Sequence, residues 1–204
     1  MTRPPAASHG FLMSDAPIPS LDALTATAQH AAREKGLPPV HLWNPAYCGE
    51  IDMRIAADGT WFYNGTPIGR PALVRLFSTI LRKDPERFVL VTPVERVGIV
   101  VEDAPFIGID AERRDSADGP VIAITTNVGD VFELGSDHPL RFMSETTGGQ
   151  RPYALVRGAL EAKIARPVFY RMVEWAEERD GQIGLVSHST FFPIVDSAAL
   201  EHGA

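Results

Sequence analysis

The chain has 204 residues, 26 acidic and 19 basic side chains, a formal charge of −7 and one cysteine, Cys48. The negative balance argues against binding long nucleic acid or an anionic membrane by bulk electrostatics, yet leaves room for a small anion held by a few local arginines. One cysteine excludes an intramolecular disulfide and a cysteine cluster, which fits a cytoplasmic setting; no stretch approaches the length of a membrane-spanning helix.

Residues 1–19 are rich in Pro, Ala and Ser and lack an apolar signal core, so they are expected to be a disordered tail, with Met13 an alternative start to Met1. Ser20 can cap a helix carrying Leu21, Leu24, Ala28 and Ala31 on one face. Gly36 and Pro38-Pro39 end it, and Trp43 follows as a core or interface aromatic. Residues 49–55 alternate, with Ile51, Met53 and Ile55 on one face. Asp58-Gly59 is a hairpin signal, and Trp61-Phe62-Tyr63 is the returning strand. A helix is expected over 71–83 and a buried strand over 88–92. Short β-like runs then follow at 97–101, 106–114, 121–126, 131–134 and 140–143, separated by turn residues that include Asn127. Two strands over 153–164 bend at Gly158; a helix over 167–179 and a hairpin of 183–187 with 191–195 complete the series, and 197–204 is expected to fray.

One segment recurs. Ile68, Arg70, Pro71 and Arg75 match Ile164, Arg166, Pro167 and Arg171 at constant spacing. The apolar stripe Leu73, Leu76, Phe77 and Ile80 aligns with Phe169, Met172, Val173 and Ala176, and each proline suits a helix start. The repeating unit reads strand, strand, helix, strand. The fold class expected is therefore α+β. It has two tightly packed domains: an α+β domain over 20–95, and a β-rich domain over 96–196 forming an antiparallel sheet or partial barrel closed by a helix.

Nucleotide-binding glycine loops, zinc-binding His-Glu-x-x-His and Gly-x-Ser-x-Gly elbows are absent. His188, between Ser187 and Ser189, reads as a half-exposed strand histidine. The candidates are polar residues at element ends. Arg70 and Arg166 stand at the two helix starts, where free N–H groups favour anions. Arg157 precedes Gly158, where a backbone can approach a ligand closely. Thr92, Glu95, Glu102 and Asp103 follow apolar strands, as orienting groups, cap or turn residues, or carboxylates for acid–base or metal chemistry. The alternative for each arginine is an ion pair that ties the domains together.

The stretches 49–55, 58–63, 67–70, 76–77, 90–95, 101–106, 157–162 and 166–170 together resemble the bacterial domain-of-unknown-function family 1285. The resemblance implies a duplicated core, a C-terminal domain similar to the pleckstrin-homology fold, and a ligand site between the domains for a nucleotide-like molecule, with a role in signal transduction. It names no cofactor. Three readings stay open. The first is a non-catalytic sensor or adaptor holding a small anion with Arg70, Arg157 and Arg166, oriented by Thr92, Glu95 and Asp103. The second is a protein-interaction module. The third is a metal-dependent hydrolase using Glu95, Glu102 and Asp103.

Overall fold

The structure, a computed structural model, describes residues 21–31, 36–117, 119–144 and 149–198. The expectations for the tail at 1–19, the Ser20 cap and the end beyond 198 lie outside these residues. The order is α1 (Leu21–Ala31), a short 3-10 turn (Val40–Leu42), β1 (Tyr47–Ile55), β2 (Trp61–Tyr63), β3 (Thr66–Pro67), α2 (Pro71–Thr79), β4 (Leu81–Lys83), β5 (Phe88–Val91) and β6 (Arg96–Val101). Then come β7 (Phe106–Ser116), β8 (Gly119–Thr126), β9 (Val131–Glu133), β10 (Leu140–Ser144), β11 (Gln150–Arg157) and β12 (Leu160–Ile164). The chain finishes with α3 (Arg166–Val173), β13 (Glu177–Arg179), β14 (Gln182–Ser187) and β15 (Thr190–Asp196).

The fold is α+β with a duplicated core. The first sheet runs β3-β2-β1-β6-β5-β4, and the second, counted from its far edge, β9-β8-β7-β12-β11-β10. Adding six to each strand number of the first gives the second. Each sheet is two antiparallel three-stranded meanders joined by one parallel pair, β1 with β6 and β7 with β12. The strand–strand–helix–strand unit also occurs twice, as β2-β3-α2-β4 and β11-β12-α3-β13. The two likenesses are out of phase: sheet order equates β3 with β9, whereas the helices equate β3 with β12.

A third sheet, β13-β14-β15, packs on β8 through β14, and α3 packs against β7 and β14. Ser187 stitches the second and third sheets together. Its buried hydroxyl accepts from the Ile122 N–H at 2.9 Å and donates to the Leu134 carbonyl at 2.7 Å.

Both helices stop earlier than their apolar pattern suggests. Leu81–Lys83 instead pair with β5, and Glu177–Arg179 with β14. At the end of α2 the Ser78 and Thr79 hydroxyls donate to the Arg75 and Leu76 carbonyls, competing with further helical turns. The buried face of α3 is Val168, Phe169 and Met172, while Val173 is exposed, so this helix is rotated from the expected register. His188 is not a strand residue: it lies in the β14–β15 turn at φ +51°.

Ile51, Met53 and Ile55 point inward as the alternation predicts, and Trp43 packs partly buried against the core. One apolar cluster joins the two large sheets, from Leu24, Trp61 and Phe77 to Phe106, Ile124, Val156 and Phe169.

Candidate functional site

The β1–β2 turn reaches from the first sheet onto the second. The Gly59 N–H donates to the Ala56 carbonyl at 2.9 Å, and the Thr60 N–H to Asp58 Oδ1 at 2.9 Å. That backbone donor is the main cause holding the Asp58 carboxyl below its usual range. Gly59 has φ +86°, and a Cβ there would stand 2.7 Å from Ile107 Cγ1 and 2.8 Å from Asn127 Nδ2. Asn127 Oδ1 in turn accepts the Ile107 N–H at 3.0 Å. The turn separates two clefts. Gly59 and Thr60 line one, and Ala57 and Asp58 line the other.

The first cleft, about 750 Å³, lies between the start of α2 and the β8–β9 turn. Pro71 and Ala72 bring the helix N-terminus to it and Arg70 is the N-cap residue; no side chain caps this start, where Pro71 has no N–H and the Leu73 N–H donates to the Arg70 carbonyl at 3.0 Å. Arg75 projects from the next turn of α2. Its guanidinium donates to the Gly129 carbonyl at 3.3 Å and meets no carboxylate among the described residues. Its repeat counterpart, Arg171, pairs with Asp110 and donates to the Ala111 carbonyl at 2.9 Å. Trp61 is 1% exposed, lines this cleft, and its indole N–H has no acceptor. A buried donor without a partner is uncommon and unfavourable. Among the described residues, no acidic side chain lines the cleft.

The second cleft, about 540 Å³, is charged in both senses. Asp58, Asp103, Arg151, Lys163 and Arg166 all line it, with Phe169 and Ile164 as apolar walls. Asp103 receives the Tyr153 hydroxyl at 2.7 Å and the Lys163 ammonium at 2.9 Å, with Arg151 3.9 Å away. Burial opposes its charge, but these hydrogen bonds prevail and the carboxyl sits below its ordinary value. Lys163 also donates to the Ala57 carbonyl, so Lys163 and Asp103 fasten the turn of the first sheet to the second.

The remaining candidates stand elsewhere. Arg157 binds Asp130, donates to the Ser78 carbonyl of α2 at 2.7 Å and covers the Phe106 ring at 4.8 Å, bridging the two sheets. Thr92 is buried in the β5–β6 turn, where its hydroxyl accepts from the Val94 and Glu95 N–H groups. Burial pushes the Glu95 carboxyl upward. Glu102 pairs with Arg54 and accepts the Ala57 N–H at 2.9 Å; that N–H, then Arg54, lowers its carboxyl. Among the described residues, no three His, Cys, Asp or Glu side chains are grouped to hold a metal.

The structure thus brings Asp103 and Arg166 to one cleft and Arg70 to the rim of the other. The two helix starts flank different clefts. Arg75, Trp61 and Lys163 escape a reading of candidates at element ends. The recurrence of Arg75 as Arg171 is the one sequence signal that could have found any of them.

Residues 38–104 match the N-terminal domain, and residues 105–194 the C-terminal domain, of DUF1285, each described as of unknown function. A DUF1285 family protein from Silicibacter pomeroyi DSS-3, known from a crystal structure at 2.50 Å resolution, is 49% identical. The match covers 91% of this chain and 100% of that one, with a TM-score of 0.82. A second, from Shewanella baltica OS155, is 27% identical over 60% of this chain and 90% of that one, with a TM-score of 0.49. No curated protein matches the chain.

Proposed function

This chain belongs to the DUF1285 family, and from that premise we propose that it binds a small organic anion, of nucleotide-like chemistry, in the first cleft between its two sheets. The observation that carries the reading is Arg75. It is a cation without a carboxylate partner, beside an uncapped helix start, in a cleft with no acidic lining among the described residues. An anion there gains the Ala72 N–H at the helix start and a guanidinium suited to phosphate or carboxylate. Ile68, Val74, Ile109 and Val128 give apolar walls for a base or similar ring.

The second cleft supports such a role less well, because Asp103 already engages Lys163 and Tyr153. In the first cleft the ligand touches both sheets, since Arg75 extends from α2 to the Gly129 carbonyl. Occupancy then changes how the sheets are bridged, which suits a non-catalytic cytoplasmic sensor in signal transduction.

Thermal unfolding against nucleoside mono-, di- and cyclic phosphates tests this. A ligand that binds the native state alone raises Tm by an amount set by its concentration over Kd. The expected result is a saturable rise with at least one nucleotide, and Kd weaker by about ten-fold or more in Arg75→Gln, as befits loss of one charged hydrogen bond. No rise with any of them, or an equal rise in Arg75→Gln, contradicts the proposal.

A further inference from the structure

A separate cavity of about 330 Å³ lies where residues 37–41 meet β4 and the β11–β12 turn. Its walls are apolar, including Leu37, Pro38, Leu81 and Leu160. Arg82 fixes one wall by donating to the Val40 and Trp43 carbonyls at 2.8 and 2.7 Å. The polar groups at its edge are all basic: His41, Arg82, Lys83 and Arg157. Two of these charges are already balanced, Arg82 by Asp84 at 2.7 Å and Arg157 by Asp130. Lys83 is not. Its ammonium lies 3.8 Å from the Phe88 ring centroid and meets no carboxylate among the described residues.

We infer that this cavity is a second ligand site, for a small monocarboxylic acid with an apolar body. The volume is at the small end for a ligand pocket, and the walls suit hydrocarbon. One uncompensated ammonium matches one negative charge. A polyanion would meet cations already neutralised, and a neutral ligand would leave the ammonium unanswered. The Phe88 ring beside Lys83 holds its ammonium in place. This site shares no residue with the first cleft.

Hexanoate and hexanol, titrated into isotopically labelled protein, provide the test. Hexanoate is expected to shift the amide signals of Leu81, Gly158 and Leu160 saturably. Lys83→Gln is expected to weaken it about ten-fold, the value of one charged hydrogen bond. Hexanol is expected to bind more weakly by a similar factor. Ala159→Trp, on the exposed turn, fills the mouth and removes the shifts. Absence of shifts in the native protein, equal binding by Lys83→Gln or by hexanol, or unchanged binding by Ala159→Trp would each overturn the inference.

Discussion

Asp103 shows how one side chain can look like a site residue and also hold the molecule together. Its oxygens meet Tyr153 and Lys163, and Lys163 reaches on to the Ala57 carbonyl. Because its folded-state pKa lies below the ordinary carboxylate value, its stabilisation is fully present above that value and is lost as pH falls through the folded one. Asp103→Asn should therefore cost about 1–3 kcal/mol at neutral pH, since it leaves a half-buried ammonium without its carboxylate. The deficit should shrink in acid; urea unfolding at neutral and acid pH measures both. A sequence shows that Asp103 follows an apolar strand, but not that Lys163, 60 residues on, meets it. The same limit hides the contrast between Arg75 and Arg171. The two match in sequence, yet only Arg171 has a carboxylate beside it, because Asp110 lies on β7.

At the scale of elements, local signals were legible and long-range competition was not. Asp58-Gly59 marks its turn, and the alternation of β1 marks its inner face, because both are set within a few residues. The helix patterns overrun their ends because Leu81–Lys83 and Glu177–Arg179 carry helix-compatible side chains whose fate is decided by pairing with β5 and β14. His188 reads as a strand residue because nothing local announces its positive φ. The turn at Gly59 is the element that shapes both clefts. Gly59→Ala places a Cβ 2.7 Å from Ile107 Cγ1 at a φ that L residues avoid. It should cost about 1–3 kcal/mol. Chemical denaturation reads the loss, and chemical shifts should move at Asn127 and Ile107 more than in the third sheet.

For the whole molecule, the recurrent Arg-Pro helix start pointed correctly to an α+β duplication. The wider repeat, six strands against six, emerges only from the order in which the strands pair. The two sheets share one apolar cluster, and Arg157 spans the seam between Asp130 and the Ser78 carbonyl. Arg157→Ala removes one partner of a largely buried ion pair and uncovers the Phe106 ring. It should lower stability by about 2–4 kcal/mol. Hydrogen exchange should quicken first at the end of α2 and around Asp130, where the sheets meet.

The most direct measurement is the indole N–H resonance of Trp61 during titration with adenosine monophosphate, assigned by its loss in Trp61→Phe. Trp43 and Trp175 serve as internal references, since neither lines the first cleft. The account predicts a saturable movement of the Trp61 signal as the cleft it lines fills, with the other two nearly still, and a markedly weaker response in Arg75→Gln. A nucleotide that raises Tm while the Trp61 signal stays fixed would place the anion elsewhere and contradict the assignment of the first cleft.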